Sequence, residues 1–464
     1  MKKLLLKSPV DGKIFAERDY CSEGRINEIL SQAVVAQKNW QKTSIGKRKE
    51  LLTKFVKAFV SKKQEISTEL SWQMGRPVLF SGGEVSGTEE RAMKMIELSE
   101  DALGDIKTSQ KDGFIRYIKR EPLGTVFVIP AWNYPYLISI NSVVPALLSG
   151  NAVVLKHSSQ TPLCAERFMD AFKEAGLPEG LFAFAHLTHD MTAKVIQDNR
   201  VDFVAFTGSV EGGKQIVKAA SSRFIGIGLE LGGKDPAYVC DDIDIAYAAE
   251  NLADGAFFNT GQSCCGIERI YVHKNSFEQF VDEFVGHTYR LKLGNPLDNT
   301  TTLGPMAKLS GVKTVKEHVA QAIELGAKAL IDRRRFAGDF DSENYLAPNV
   351  LIDVDHKMDI MTEESFGPVV GIMKVDDDLQ AVQLMNDSRY GLTASIWTGN
   401  SDRAVAVGDQ VSTGTWFMNR CDYLDPELAW TGVKNTGRGC TLSKVGFEQL
   451  TRPKSYHLKL KEGK

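Results

Sequence analysis

Short β-rich apolar runs alternate with helical patterns from about residue 123 onward, and this alternation restricts the fold more than any other feature of the chain. Apolar strands that alternate with helices of this length predict βαβ units. Such units build a parallel sheet, which usually has helices on both faces. The runs and helical patterns of this first stretch cover residues 125–129, 136–148, 152–155, 165–175, 182–185, 203–206 and 225–229.

A second α/β pattern follows, with helical patterns at 244–257, 277–293 and 307–325 and β-rich runs at 270–272, 369–375 and 393–398. Residues 26–110 are helical in pattern, because apolar residues within 47–74 recur at spacings typical of a one-faced helix. At 464 residues the chain is too long for one typical core, so two or three domains are expected. A boundary at 231–235 would leave Glu230 and Cys264 facing across a cleft, where ligands often bind.

The composition is ordinary for a globular enzyme and argues against several other classes of protein. Hydrophobic residues make up 43% of the chain, charged residues 25%, and the net charge is -3, which favours neither a nucleic-acid nor a membrane partner. The apolar run at residues 4–6 is too short for a signal peptide. Seven scattered Cys residues without a CxxC pair argue against disulfides and a metal site, so we expect a reducing cytoplasm.

Cys264 and Glu230 together supply the chemistry of a covalent mechanism. A thiolate can attack a carbonyl carbon, and a carboxylate can act as a general base. Small residues surround both side chains, in Gly261-Gln262-Ser263-Cys264 and Glu230-Leu231-Gly232-Gly233, and leave room for a substrate and a flat cofactor. Taken alone, Cys264 could be an inert buried thiol, and Glu230 a strand-end carboxylate bonded to the backbone. The neighbouring Cys265 should point in another direction, so that only one thiol faces the cleft.

Three further motifs stand where predicted strands end. The side-chain N–H of Asn133 can stabilise a negative oxygen, although an Asx turn is the plainer interpretation. Ser209 lies in a Gly/Ser turn before a helix, where backbone N–H groups suit a pyrophosphate, but the GxGxxG pattern is missing. Lys156 could bond ribose hydroxyls or remain a solvated loop lysine, and Glu364 could be a plain surface carboxylate.

The set and order of these motifs resemble the aldehyde dehydrogenase superfamily in its NAD(P)-dependent, hydrolytic form. The resemblance extends from about residue 8 to about residue 456. The matching motifs, in order, are Trp132-Asn133, Lys156, Phe206-Thr207-Gly208-Ser209, Glu230-Leu231-Gly232-Gly233-Lys234, Gly261-Gln262-Ser263-Cys264, Glu364-Ser365-Phe366-Gly367-Pro368 and Gly432-Val433-Lys434.

The resemblance implies an α/β fold with a Rossmann-like cofactor domain, an α/β catalytic domain and a small β bridging element used in oligomerisation. Residues 1–110 and 121–231 would form the dinucleotide-binding domain and 232–430 the catalytic domain. Residues 111–120 and 449–464 would form the bridging element, while 431–448 would pack back on the cofactor domain. Exposed strands of this kind need a cover, so we expect a homodimer or homotetramer.

The resemblance also implies a mechanism. Cys264 would attack the aldehyde to form a thiohemiacetal, and Asn133 with the Cys264 backbone N–H would hold the oxyanion. Hydride transfer to NAD or NADP would leave a thioester, which water activated by Glu230 would hydrolyse to a carboxylic acid. The cofactor-binding positions would be Pro130, Trp132, Lys156, Ser159, Phe206, Gly208, Ser209, Gly213, Leu231, Glu364 and Phe366.

Two departures from the family pattern bear on cofactor and substrate. NAD-preferring members usually carry a Glu where this chain has Ser159, so Ser159 with Lys156, and His157 beside them, could accept a 2′-phosphate. We therefore expect NADP to be accepted, and a preference for NADP is the stronger form of this prediction. Succinate-semialdehyde members carry an Arg nine residues past the matching Trp, where this chain has Asn141.

The expected substrate-lining positions favour an uncharged, hydrophobic aldehyde, because they are aromatic or apolar: Tyr134, Ile138 and Trp430. Arg420 or Arg438 could still supply a cation from another loop, so a semialdehyde dehydrogenase remains an alternative. A CoA-acylating enzyme is a second alternative, although such enzymes generally lack a base like Glu230. A catalytically silent scaffold protein is a third.

Overall fold

The computed structural model describes residues 3–338 and 340–461; residues 1–2, 339 and 462–464, the last of which belong to the predicted bridging element, lie outside the described residues. The chain begins with a two-stranded antiparallel ribbon and four helices. Ser22 and Ser44 cap the first two helices by accepting the backbone N–H of Arg25 and Lys47. These elements are β1 (Lys3–Lys7), β2 (Ile14–Asp19), α1 (Glu23–Trp40), α2 (Ile45–Val60), α3 (Lys63–Met74) and α4 (Val78–Ala102).

The alternation predicted from residue 123 is present as alternating strands and helices. Two strands precede it, β3 (Ile106–Lys107) and β4 (Phe114–Pro122). The alternating elements are β5 (Thr125–Ile129), α5 (Pro135–Leu148), β6 (Ala152–Leu155), α6 (Leu163–Glu174), β7 (Phe182–Phe184), α7 (His189–Gln197), β8 (Phe203–Thr207), α8 (Val210–Ala220) and β9 (Gly226–Glu230). Strands β5 and β6 are buried over their whole length, as expected for central parallel strands with helices on both faces. Residues 103–110 are not helical, contrary to the prediction, because β3 pairs with β4 there.

The second pattern gives a second set of strands and helices. They are β10 (Asp235–Val239), α9 (Ile245–Phe257), β11 (Ile267–His273), α10 (Phe277–Thr288), α11 (Leu309–Glu324), β12 (Lys328–Ala329), β13 (Asn349–Ile352), α12 (Asp359–Thr362), β14 (Val369–Val375), α13 (Asp378–Asn386), β15 (Thr393–Trp397), α14 (Ser401–Gly408), β16 (Thr415–Met418), β17 (Gly437–Arg438) and β18 (Thr451–Lys459). Short 3₁₀ turns cover Phe258–Gly261, Arg333–Phe336, Lys434–Thr436 and Val445–Leu450. The helix predicted over 277–293 ends at Thr288, where the chain turns.

Two sheets carry the two halves of the chain. The first has six strands in the order β17-β9-β8-β5-β6-β7 and is parallel apart from β17. The second has seven strands in the order β12-β13-β14-β11-β10-β15-β16 and is parallel apart from β12. The chain crosses between the sheets from Glu230 to Asp235. Through β17, the segment 431–448 returns to the first sheet, next to Glu230.

A separate three-stranded antiparallel sheet has the order β18-β4-β3. Its main ladder runs from the pair Thr451 and Pro122 to the pair Lys459 and Phe114. Strand β18 is an edge strand, so one side of its backbone has no partner strand among the described residues. Across the described part of the chain, no helix is long and apolar enough to cross a lipid bilayer.

Candidate active site

A strained turn between α9 and β11 carries Cys264. Asn259, Thr260 and Gly261 have φ values of 53°, 59° and 69°, in the left-handed region that disfavours residues with a side chain, β-branched Thr above all. Such residues cost roughly 1–3 kcal/mol each and persist where the surrounding structure holds them. At Gly261, a Cβ atom would lie 2.2 Å from the carbonyl oxygen of Gly367, so no side chain fits.

Buried hydrogen bonds hold this turn in place. The Thr260 hydroxyl donates to the Gly304 carbonyl at 3.0 Å. The Gln262 amide donates to the Asn259 carbonyl at 3.0 Å and accepts the Ala307 N–H at 2.8 Å. Gly304 and Ala307 lie outside the turn, so these bonds tie it to the rest of the fold. The fold therefore fixes the position of the next residues, Ser263 and Cys264.

The two adjacent thiols differ in their environments. Both Cys264 and Cys265 border the same cavity, but Cys264 is half-buried and Cys265 is buried. The Cys265 Sγ donates to Asp422 Oδ1 at 2.9 Å. A hydrogen bond with Cys264, burial and the Asp422 carboxylate raise the pKa of Cys265 well above its usual value. Cys265 therefore remains a thiol, and half-buried Cys264 is the better nucleophile.

Asn133 lies against the turn that carries Cys264. It follows β5 at the start of α5, and its buried Nδ2 donates to the Gln262 carbonyl at 3.2 Å. Its own carbonyl accepts bonds from the Arg76 guanidinium and, at 3.2 Å, from Asn259 Nδ2. An amide nitrogen carries two N–H bonds, so Asn133 keeps one donor for an oxygen that becomes negative beside Cys264.

Glu230, the last residue of β9, borders the same cavity. Its carboxylate accepts the Thr441 hydroxyl at 2.6 Å and the Thr207 hydroxyl at 3.1 Å. Burial raises the pKa of Glu230 above its usual value, and the two threonine bonds oppose that rise. Neither threonine was predicted as a partner of Glu230. No sequence signal identifies Thr441, because only the pairing of β17 with β9 brings its segment next to Glu230.

The cavity between Cys264 and Glu230 has a volume of about 620 Å³. The predicted substrate-lining residues Tyr134, Ile138 and Trp430 all border it. The Arg76 guanidinium lies 4.5 Å from the centre of the Tyr134 ring. The cavity is not uniformly apolar, because Arg91, Arg420 and Asp422 also border it. Arg420 is one of the two arginines that could supply a cation according to the sequence, whereas Arg91 and Asp422 were not predicted there.

The Gly/Ser turn after β8 exposes the start of α8. Ser209 caps this helix, with its Oγ accepting the Gly212 N–H at 3.2 Å. A Cβ atom on Gly208 or Gly212 would collide with the Phe206 ring, and one on Gly213 would collide with Leu231. Glycines at these positions therefore let the turn pack tightly and leave N–H groups free at the helix start.

Two half-buried lysines, Lys156 and Lys308, lie close enough for their charges to interact. Lys156 follows β6, and burial together with the positive charge of Lys308 lowers the pKa of Lys156 to about 8. Burial also lowers the pKa of Lys308, whose Nζ lies 5.3 Å from the centre of the Trp132 ring. Neither ammonium forms an ion pair with a carboxylate of residues 3–338 or 340–461. Lys308 was not predicted as a site residue, because only the fold brings it next to Trp132.

Ser159 is exposed beside Lys156, whereas His157 is buried. The His157 ring contacts the Pro135 carbonyl at 3.3 Å and the Thr161 hydroxyl at 3.1 Å. Burial lowers the pKa of His157 to about 3, so the ring is neutral. Ser159 and Lys156 remain accessible to a 2′-phosphate. The neutral His157 ring, in contrast, supplies no positive charge to it.

Glu364 and Phe366 follow α12 in a loop that packs against Trp132. Glu364 accepts the Gly233 N–H at 3.1 Å, and burial and the charge of Glu268 raise its pKa to about 8. Phe366 packs edge-on against Trp132, with ring centres 5.6 Å apart. Glu268 holds the loop by accepting the backbone N–H of Phe366 at 2.8 Å. Of the predicted cofactor positions, Pro130 is buried directly after β5.

Comparison with known proteins identifies the family. The model of the aldehyde dehydrogenase family matches residues 2–456. The chain is 31% identical over 445 residues to the succinate semialdehyde dehydrogenase [NAD(P)+] Sad of Escherichia coli, covering 96% of this chain and 95% of that protein. It is 30% identical to a betaine aldehyde dehydrogenase of Brucella melitensis, covering 94% and 90%.

Solved structures show the same relationship. The succinic semialdehyde dehydrogenase of Streptococcus pyogenes, determined in complex with NADP+, superposes with a TM-score of 0.94 at 26% identity, covering 98% of this chain and 99% of that one. The chain therefore belongs to the aldehyde dehydrogenase family, as the sequence motifs predicted. It is an oxidoreductase that acts on aldehydes, and the predicted α/β fold with a Rossmann-like domain is confirmed.

Proposed function

We propose that this protein oxidises aldehydes to carboxylic acids with NAD or NADP, using Cys264 as the nucleophile. The observations that carry the proposal are that Cys264 and Glu230 border one cavity and that Asn133 is hydrogen-bonded to the turn that carries Cys264. The Cys264 thiolate sulfur forms a bond to the aldehyde carbon while the second bond of the C=O group breaks, so that its electron pair leaves a negative charge on the oxygen of the tetrahedral thiohemiacetal. The free N–H of Asn133 and the backbone N–H of Cys264 stabilise that oxygen.

A bound nicotinamide dinucleotide supplies the acceptor for the hydride that leaves the thiohemiacetal carbon. The product on Cys264 is a thioester, and Glu230 takes a proton from the water that attacks it. Hydrolysis releases the carboxylic acid and returns the Cys264 thiol. Burial suits Glu230 to this role, because a carboxylate with a raised pKa is a stronger base.

The edge around Trp132 fits a dinucleotide. The start of α8 offers N–H groups to a pyrophosphate, and the half-buried Lys156 and Lys308 supply positive charge without carboxylate partners among the described residues. Glu364 and Phe366 would hold the nicotinamide ribose. No carboxylate stands at position 159 to repel a 2′-phosphate, so we infer that NADP is accepted and preferred.

We also propose the division of labour between the parts of the chain. Residues 1–110 and 121–231 would bind the dinucleotide, 232–430 would carry the nucleophile, and 431–448 would hold Glu230 through Thr441. Residues 111–120 and 449–464 would join subunits of a homodimer or homotetramer through the three-stranded sheet.

The nucleophile is tested by comparing the two adjacent thiols. Cys264→Ser should abolish aldehyde-dependent formation of reduced nicotinamide, followed by its absorbance, whereas Cys265→Ser should keep most of it. The assay is run with and without CoA, because strict dependence on CoA would point to thioester transfer rather than hydrolysis. Full activity of Cys264→Ser, or no activity of the unmodified protein with any aldehyde, would contradict the proposal.

A further inference from the structure

Arg91 is a buried cation in the wall of the cavity that holds Cys264 and Glu230. It projects from α4, and its Nη1 donates to the Leu137 carbonyl at 3.1 Å and to Asn141 Oδ1 at 3.2 Å. The N–H groups of Nε and Nη2 make no hydrogen bond within residues 3–338 and 340–461, and no carboxylate in those ranges forms an ion pair with the guanidinium. A guanidinium buried without an anion is costly unless a ligand supplies one.

The acidic groups nearest to Arg91 already have partners of their own. The Glu84 carboxylate pairs with the Arg76 guanidinium and also accepts the backbone N–H of Tyr136 at 2.9 Å. Glu230 is held by its two threonine hydroxyls. Arg91 therefore keeps an unbalanced positive charge on the α4 side of the cavity.

Four further charged groups border the cavity: Asp254, Arg420, Asp422 and Glu90, which is next to Arg91 on α4. Asp422 accepts hydrogen bonds from Ser263 at 3.0 Å and from Cys265, and burial raises the pKa of Asp254. Glu90 is exposed and accepts the Tyr423 hydroxyl at 3.1 Å. The exposed Arg420 guanidinium stacks on the Tyr423 ring at 3.5 Å.

We propose that Arg91 binds a carboxylate of the substrate, so that the preferred substrates are aliphatic aldehydes with a carboxylate at the far end of the chain. Arg91 contacts Asn141, which occupies the position at which the semialdehyde enzymes carry their own Arg. In this chain the guanidinium at that place therefore belongs to α4 and not to α5. The proposal rests on the proposed function, because Cys264 must attack the aldehyde end in the same cavity. It favours the semialdehyde alternative over an uncharged aldehyde.

The test compares succinate semialdehyde with butanal, which has the same chain length and no carboxylate. The unmodified enzyme should have the higher kcat/KM for succinate semialdehyde. Arg91→Met should lower the ratio of the two kcat/KM values on the order of 100-fold, because charge-assisted bonds to a carboxylate are lost. An unchanged ratio would overturn the proposal. A preference of the unmodified enzyme for 4-aminobutanal would overturn it as well, and would assign recognition to Glu90, Asp254 and Asp422.

Two variants separate substrate recognition from damage to the fold. The double variant Arg91→Met, Asn141→Arg should regain part of the ratio, since it restores a guanidinium from α5. A larger fall for Arg420→Met than for Arg91→Met would move the anchor to Arg420 and overturn the proposal.

A binding measurement distinguishes this proposal from the proposed function. Succinate, which has no aldehyde, should bind calorimetrically to Cys264→Ala and bind at least tenfold more weakly when Arg91→Met is added. If no aldehyde is oxidised yet succinate binding depends on Arg91, the proposed function fails and the anchor stands. If aldehydes are oxidised but succinate binding ignores Arg91, the anchor fails alone.

Discussion

At the scale of single residues, the reactive groups are tuned by neighbours that lie far away in the sequence. Burial raises the pKa of Glu230, while hydroxyls from two other segments hold its carboxylate. Cys264 and Cys265 are adjacent in the chain, yet Asp422 distinguishes them by accepting the Cys265 hydrogen bond. The residue type alone therefore does not decide which group reacts.

Removal of the Thr441 hydroxyl should change the pH dependence of turnover. Glu230 acts as a base only when deprotonated, so kcat should fall as the pH falls through its raised pKa. Thr441→Val removes a bond that favours the charged carboxylate, and the acid limb of the kcat profile should move up by about one pH unit. A limb that stays in place or moves to lower pH would contradict the role given to Glu230.

Cofactor choice should depend on the charge at position 159. Ser159→Glu places a carboxylate where a 2′-phosphate would lie beside Lys156, and like charges repel. The ratio of kcat/KM for NADP to that for NAD should fall at least tenfold. Ser159→Gln, which has a similar size and no charge, is the control and should lower the ratio less. An unaltered ratio in Ser159→Glu would show that this position does not select the cofactor.

At the scale of elements, the turn Asn259-Thr260-Gly261 shows how a fold holds a nucleophile. Three successive residues adopt positive φ, at a local cost that the buried bonds of Thr260 and Gln262 offset. The turn also joins the two halves of the chain, since Asn259 donates to the Asn133 carbonyl. Its geometry thus aligns Cys264 with Asn133 before any substrate binds.

Gly261→Ala should disrupt this alignment. A Cβ atom would lie 2.2 Å from the Gly367 carbonyl oxygen at a φ of +69°, so the turn must shift. We expect kcat to fall on the order of 100-fold and Tm to drop. Gly46→Ala is the matched control, because that glycine is in α2 with no atom within 4 Å of an added Cβ. Near-normal kcat and Tm in Gly261→Ala would show that the turn is not needed to place Cys264.

At the scale of the whole molecule, the three-stranded sheet stands apart from the two larger sheets and presents an apolar surface. Leu458 and Ile115 are partners across β18 and β4, and each is 47% exposed. An open edge strand with exposed apolar residues is a site at which chains associate. This supports the proposal that the sheet joins subunits.

Charges on this surface should weaken the assembly. The double variant Leu458→Lys, Ile115→Lys should elute as a smaller particle, with a lower mass by light scattering than the unmodified protein at equal concentration. Val35→Lys is the control, since Val35 is an exposed apolar residue on α1, remote in sequence from this sheet. An unchanged mass, or a monomeric unmodified protein, would contradict the assignment.

The local order of elements could be predicted from the sequence, because apolar periodicity and turn residues act over a few positions. The parallel strands 125–129, 152–155 and 203–206 are present, and the motifs containing Asn133, Ser209 and Glu230 stand at the expected strand ends. The helical prediction failed at 103–110, where strand pairing of β3 with β4 overrides the local pattern.

The sequence by itself determined the family and the strand ends that surround the proposed nucleophile and base. Only the tertiary structure decided which groups surround these residues. Thr441 reaches Glu230 through the pairing of β17 with β9, Asp422 reaches Cys265 from a loop after β16, and Arg91 reaches Asn141 from α4. The physical reason is that hydrogen bonding, burial and charge act through space, over a few ångströms. The residues that they connect are as much as hundreds of positions apart in the sequence.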